Sequence, residues 1–290
     1  MRKIIFALLL GFGLVSCTSQ APNQNNNKQS ITVSILPQKY FMEKILGDHF
    51  DINVMIPPGA SPVTYEPTPK QMKELSSSIT YFRIGHIEFE KAWMKKLQNL
   101  NFEMDVIDVS KNADLIEANH SHGDHHHHGV DPHIWTSPKE VKKQIELIYE
   151  YFSDKHLESK TEIIENYNSF INEIDSLDSY ITKELGDLQE RKFLIFHPAL
   201  SYFARDYGLE QISIEIDGKE PTPSNIQKIV EIAKKENIKV VFVQNQFSTH
   251  NAEVIANEIN GRVVQIDPLA YNWNESIRII VDEIVKSYSE

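Results

Sequence analysis

Residues Glu158 to Leu185 read ESKTEIIENYNSFINEIDSLDSYITKEL, and this stretch decides the architecture. Its apolar side chains, Ile163, Ile164, Tyr167, Phe170, Ile171, Ile174, Leu177, Ile181 and Leu185, recur three or four residues apart. That is the period of one face of an α-helix. A helix of this length spans roughly 40 Å at 1.5 Å per residue, enough to bridge two lobes as a stiff rod. Just before it, Ser137-Pro138-Lys139-Glu140 has the pattern of a capping box with proline in the first turn, and Val141, Ile145, Ile148 and Phe152 follow at helical spacing.

Working outward, short runs that read as strands fall in two groups of four. Ile31–Leu36, Asp51–Ile56, Ile79–Ile84 and Met104–Val109 precede the long helix; Lys192–Phe196, Glu210–Ile216, Ile238–Val243 and Arg262–Ile266 follow it. Most are nearly continuous apolar runs, as expected of parallel strands covered on both faces. Helical patterns such as Phe89–Leu100 and Pro223–Glu236 alternate with them. The expected fold is α/β: two lobes, each with a four-stranded parallel sheet flanked by helices, joined by a long rigid helix. A short repeat fits two similar lobes. Glu-Pro-Thr-Pro occurs at Glu66–Pro69 and at Glu220–Pro223, each after the second strand of its group, where the threonine can cap a helix and the proline can fill its first turn.

The flanks and the composition narrow the function. Arg2 and Lys3 precede an apolar run, Ile4–Val15, too short for a comfortable membrane span, and the run closes on Leu14-Val15-Ser16-Cys17. This resembles the lipobox of bacterial lipoproteins, in which the cysteine is acylated. Cys17 is the only cysteine, so a disulfide framework within one molecule is excluded. The expected organisation is a signal peptide over 1–17, an Asn- and Gln-rich tether over 18–30, and an N-terminal lobe over 31–155 with a His-rich loop at 119–129. A linking helix over 156–190 and a C-terminal lobe over 191–290 complete it. The chain carries a net charge of −12, and removal of Arg2 and Lys3 makes it more acidic. An acidic surface disfavours nucleic acid and suits a protein that handles cations.

Seven of the twelve histidines lie between Asn119 and Trp135. His120, His122, His125, His126, His127 and His128 sit among Asn, Ser, Gly and Asp and read as a metal-collecting loop. His133, in Asp131-Pro132-His133-Ile134-Trp135, reads as a ligand in an ordered site. In open parallel sheets, ligands bind beyond the carboxyl ends of the strands. His86 follows the third strand, His133 ends the loop after the fourth, His197 follows the fifth, and Asp267 follows the eighth. Each singly is compatible with a local hydrogen bond or a turn. Together, three imidazoles and a carboxylate match a closed tetrahedral zinc site.

These pieces resemble the substrate-binding proteins of metal-ion ABC transporters, the cluster A-I group typified by the periplasmic zinc-binding protein. The resemblance is carried by Pro57-Pro58-Gly59-Ala60-Ser61-Pro62-Val63-Thr64-Tyr65-Glu66-Pro67, Asp131-Pro132-His133-Ile134-Trp135, Phe196-His197-Pro198-Ala199 with Tyr202-Phe203, and Asp267-Pro268-Leu269. It implies a monomeric, lipid-anchored receptor outside the cytoplasm that holds Zn2+ between its lobes, feeds a membrane permease and performs no catalysis. It implies His133, His197 and Asp267 as ligands. Histidine at 197, where manganese-type relatives commonly carry glutamate, favours zinc, with a manganese- or iron-type receptor as the alternative. The family's first histidine normally follows the proline written here as Pro62, but this chain has Val63. His86 is the expected replacement; a loop histidine or water is the alternative. Competing readings are a metal-dependent adhesin and a zinc hydrolase, the latter with Glu88 as its base.

Overall fold

The computed structural model describes residues 28–118, 129–155, 159–216 and 218–288. The strands are β1 (Gln29–Val33), β2 (Phe50–Val54), β3 (Ser78–Arg83), β4 (Asp105–Asp108), the two-residue pair β5 (Glu117–Ala118) and β6 (Gly129–Val130), then β7 (Lys192–Ile195), β8 (Glu210–Ser213), β9 (Val240–Gln244) and β10 (Arg262–Ile266). Strands β1 to β4 form one parallel sheet in the order β2-β1-β3-β4; β7 to β10 form another in the order β10-β9-β7-β8. Read from its other edge, the second order is the first repeated, so the two lobes share one topology. In each, the order reverses between the first and third strands, where an open parallel sheet leaves a crevice at its carboxyl edge.

The helices are α1 (Leu36–Leu46), α2 (Pro69–Leu75), α3 (Glu88–Gln98), α4 (Pro138–Ser153), α5 (Lys160–Gly186), α6 (Ser201–Tyr207), α7 (Pro223–Lys235), α8 (His250–Glu258) and α9 (Trp273–Ser287). The Glu-Pro-Thr-Pro repeat has the expected geometry. Thr68 and Thr222 hold nearly the same extended backbone (φ −76°, ψ 158° and φ −71°, ψ 158°), and each hydroxyl accepts a backbone N–H three residues on, from Gln71 and Asn225. This satisfies one of the orphan donors of the first turn.

Three expectations shift. The first strand begins at Gln29 and stops at Val33, because Leu36-Pro37 already opens α1. Its first two residues therefore pair with Phe50 and Asp51 instead of belonging to the tether. Glu140 does not close a capping box: Ser137 Oγ accepts from Lys139 N at 3.2 Å, while the buried Glu140 carboxylate takes Asp114 N and the cations of Lys143 and Arg205. The pair β5–β6 was not expected; it forms an antiparallel stem at the two ends of the His-rich stretch. The loop histidines His120 to His128, like Cys17, lie outside the described residues.

The 27-residue α5 buries Ile163, Phe170, Ile174, Leu177, Ile181 and Leu185 in one continuous core that reaches both sheets. A second core, around Leu194, Val241, Val243 and Ile255, covers the other face of the C-terminal sheet. Direct ties also cross between the lobes. Trp273 packs edge-on against Phe41 at 5.3 Å, Tyr271 donates to Glu43, and Arg205 reaches Glu140 at 2.6 Å. Among the described residues, no helix is long and apolar enough to cross a membrane.

Candidate metal centre

Two imidazoles from different lobes meet where the carboxyl edges face each other. His133 precedes a single 3-10 turn (Ile134–Thr136), and Pro132 before it restricts the approach. The Asp131 carboxylate accepts both His133 N (2.9 Å) and His133 Nδ1–H (2.8 Å). Burial works to raise the Asp131 pKa, but the His133 ring and its hydrogen bonds, with help from Ser201, outweigh it and hold the group below its ordinary value. His197 leaves β7 between Phe196 and Pro198. Buried Gln244, at the end of β9, grips its backbone twice: Gln244 Oε1 accepts His197 N at 3.2 Å and Gln244 Nε2 donates to His197 O at 2.6 Å. The His197 ring stacks on Phe247 (5.2 Å, 21°), and its Nδ1 lies 2.6 Å from Oε1 of buried Glu215.

The two rings are therefore set alike. A carboxylate beside each Nδ1 favours the tautomer with hydrogen on that nitrogen, which leaves Nε2 to offer its lone pair to a metal. The two Nε2 atoms stand 3.2 Å apart. Two nitrogens bound to one tetrahedral zinc at about 2.0–2.1 Å would be separated by about 3.3 Å. The pair already has the spacing of two corners of such a site, with a carboxylate behind each ring. Carboxylates in this position fix the tautomer and raise the basicity of the metal-binding nitrogen.

The other two expected ligands stand apart from the pair. Among the described residues, no hydrogen bond joins His86 or Asp267 to either imidazole, and no three histidine, cysteine or acidic side chains are gathered closely enough to hold a metal. Asp267 directly follows β10, and its carboxylate accepts Leu269 N at 3.1 Å while lining an open depression with Asn245, Gln265, Asn272, Glu275 and Ser276. Its turn is tied to the histidine segment: Trp135 Nε1 donates to Pro268 O at 2.9 Å, and Trp273 Nε1 donates to Trp135 O at 2.6 Å. Tyr202 adds a further tie, its hydroxyl donating to Asp131 O at 2.7 Å.

His86 is half-buried in the loop between β3 and α3. Burial chiefly lowers its pKa, Asp108 opposes this, and Lys91 and Arg83 add to the lowering, so its neutral form is favoured. Its loop is braced from below by buried Glu90, whose carboxyl oxygens each accept a backbone amide at 2.7 Å, from Ile84 and Gly85. The Val63 segment adjoins the same loop, since Phe89 N donates to Pro62 O at 3.0 Å; Val63 itself is exposed. Glu88, the base required by a hydrolase, is turned to the surface and paired with Lys91 at 2.7 Å.

Asp131, Glu215 and Gln244 are the residues that sequence reasoning did not single out. Glu215 carried the same signal as the four expected ligands, a polar residue at the carboxyl end of an apolar strand. It was hidden because the strand was extended to Ile216, whereas β8 ends at Ser213. Glu215→Gln is expected to weaken zinc binding by about 10- to 100-fold, the usual effect of removing such a partner. A chelator-competition titration measures it, and unchanged affinity would remove Glu215 from the site.

Residues 31–286 match the family model described as "Zinc-uptake complex component A periplasmic". The chain belongs to the ZnuA family. It is 27% identical over 282 residues to the zinc-binding lipoprotein AdcA of Streptococcus pneumoniae (strain ATCC BAA-255 / R6), an alignment covering 93% of this chain and 56% of that one. The chain thus spans about half the length of that relative. It is 25% identical over 265 residues to the high-affinity zinc uptake system protein ZnuA of Bacillus subtilis (strain 168), covering 88% of this chain and 82% of that one. A crystal structure of a ZnuA superposes with a TM-score of 0.84 at 37% identity, covering 90% of this chain and all of that one, 100%. A zinc-bound deletion mutant of ZnuA gives the same score and identity, covering 91% and 99%.

Proposed function

We propose that this ZnuA-family chain is an extracytoplasmic receptor that captures Zn2+ between its two lobes and delivers it to an ABC permease, with no catalytic step of its own. The observation that carries this reading is the opposed Nε2 pair of His133 and His197, one from each lobe, 3.2 Å apart and each backed by a carboxylate. Nitrogen donors at both positions suit zinc better than manganese, which prefers oxygen. Asp267 and His86 complete the site by a small approach of their turns; the shared core along α5 and the tryptophan ties favour a small movement over a wide hinge. The lobes that take part are residues 31–155 and 191–290, and the His-rich stretch supplies weaker, additional metal contacts.

The choice of the fourth ligand is tested by comparing His86→Ala with a deletion of residues 120–128. A large affinity loss only in His86→Ala is the expected result. A large loss only in the deletion would assign the position to the loop, and small losses in both would assign it to water.

Membrane attachment belongs to the same proposal. Cys17 in Leu14-Val15-Ser16-Cys17 is the acylated residue, and Cys17→Ser is expected to move the protein from the membrane fraction to the soluble one. A variant that still sediments with membranes and incorporates labelled fatty acid would contradict this.

A further inference from the structure

Away from the metal centre, Phe102 is the most exposed large apolar side chain among the described residues. Phe102 is 86% exposed and Leu100 beside it 44%, although their neighbours Leu97 and Met104 are buried. The turn that carries them is well fixed. Leu100 N and Asn101 N donate to Leu97 O and Gln98 O, Glu103 N donates to Asn101 Oδ1 at 3.1 Å, and Met104 N donates to Asn101 O. Local hydrogen bonding thus holds Phe102 outward.

The location of this turn indicates what covers it. It connects α3 to β4 and so lies at the amino edge of the N-terminal sheet, opposite the carboxyl edge that bears the histidines. Asn101 Nδ2 donates to Ser78 O at 2.9 Å, and Ser78 at the start of β3 pairs with Ser30 in β1. The exposed phenylalanine is therefore one strand away from the point where the chain enters the domain. Ten residues separate Lys28 from Cys17, a contour of at most roughly 40 Å. An acyl group at Cys17 keeps this edge, more than any other, close to the bilayer.

The side chains around the turn suit a lipid headgroup layer. The last turn of α3 carries Lys95 and Lys96, with Lys96 Nζ 4.3 Å from the Trp93 ring. Lys28 and Lys155 offset Asp48 and Asp105 at the same edge. Exposed Glu103 and Asp51 lie at the same edge, so the lysines beside Trp93 and Phe102 are what an anionic headgroup would meet favourably. Aromatic rings with lysines beside them are the side chains favoured at a membrane interface.

We propose that the Leu100–Phe102 turn is a lipid-contact site that seats the amino edge of the N-terminal sheet on the membrane surface. This rests on the reading of Cys17 as the acyl anchor. In this pose the His133–His197 end faces the medium for capture, and docking on a permease requires the turn to lift off.

The test uses the full-length lipoprotein in vesicles of phosphatidylethanolamine and phosphatidylglycerol, with nitroxide-labelled acyl chains as quencher. Acylation blocks the thiol of Cys17, so a polarity-sensitive fluorophore attaches only at Glu103→Cys, beside an intact Phe102. A blue shift and loss of most of the emission to the quencher are expected there. The response should disappear when Phe102→Asp is added, and should be absent for a label at Val254→Cys in α8. No quenching, or quenching indifferent to Phe102→Asp, would overturn the proposal. So would a response seen in detergent without vesicles that rises with protein concentration, which would assign the turn to a second copy of this chain. Intact mass reports acylation separately: an unacylated, vesicle-free protein refutes the anchor and this pose with it, whereas an acylated, unquenched one refutes only the lipid contact.

Discussion

His197→Ala is expected to remove tight zinc binding and, with it, the thermal stabilisation that zinc confers. A ligand present at a thousand times its dissociation constant stabilises the native state by about 4 kcal/mol. For a chain of this size that corresponds to a rise in Tm on the order of 10 °C. The variant loses one of two opposed donors and leaves buried Glu215 without its 2.6 Å partner. His133→Ala is expected to give the same loss, because a zinc left with the other imidazole keeps contact through it with only one lobe. The double variant is then scarcely worse than either single one, as is usual for residues acting as a unit. Calorimetric melting of each variant with and without zinc measures this, and a full zinc-induced shift in His197→Ala would take that residue out of the site.

The second large effect is expected at Gly85, immediately before His86. Its φ of +108° is a conformation that side chains resist, and a Cβ there would lie 2.5 Å from Ser110 Oγ and 2.7 Å from Asp108 Oδ1. Neither neighbour yields freely: Asp108 Oδ1 accepts both Ser110 N (2.9 Å) and Ser110 Oγ (2.6 Å), and its other oxygen takes Arg83 at 2.6 Å. Gly85→Ala is therefore expected to cost about 3 kcal/mol or more, combining backbone strain with displacement of this network. Gly208 supplies the control. It has φ +67° with nothing within 4 Å of a built Cβ, so Gly208→Ala should show the conformational cost alone, roughly 1–2 kcal/mol. Equal losses for the two variants in urea unfolding would show that crowding at Gly85 is unimportant. Zinc affinity measured on Gly85→Ala also reports on His86, since the same loop carries both.

Much of the fold was legible because its signals are local and redundant. The apolar spacing from Ile163 to Leu185 survives almost residue for residue in α5, and the two Glu-Pro-Thr-Pro segments cap helices with nearly superimposable angles. Strand ends were less legible. An apolar residue just past a strand, such as Ile214 or Ile56, is buried for tertiary reasons and looks like strand continuation. That ambiguity hid Glu215. The opposed pair was legible, His197 as a strand-end histidine and His133 as the ordered histidine closing the loop after the fourth strand, but their supporting shell was not. Glu215 and Gln244 reach His197 across 18 and 47 residues of sequence, and no local pattern encodes such contacts. Glu140 illustrates the converse: its spacing from Ser137 fits a capping box, yet long-range cations and an amide claim its carboxylate.

The most direct measurement is the anomalous diffraction of the zinc-loaded protein at the zinc edge. The expected result is one strong peak between the lobes, about 2.0–2.1 Å from Nε2 of both His133 and His197, with Glu215 and Asp131 still on the far side of the rings. A principal peak bound from one lobe only, or one that leaves His133 and His197 without metal, would contradict the proposed capture of zinc between the lobes.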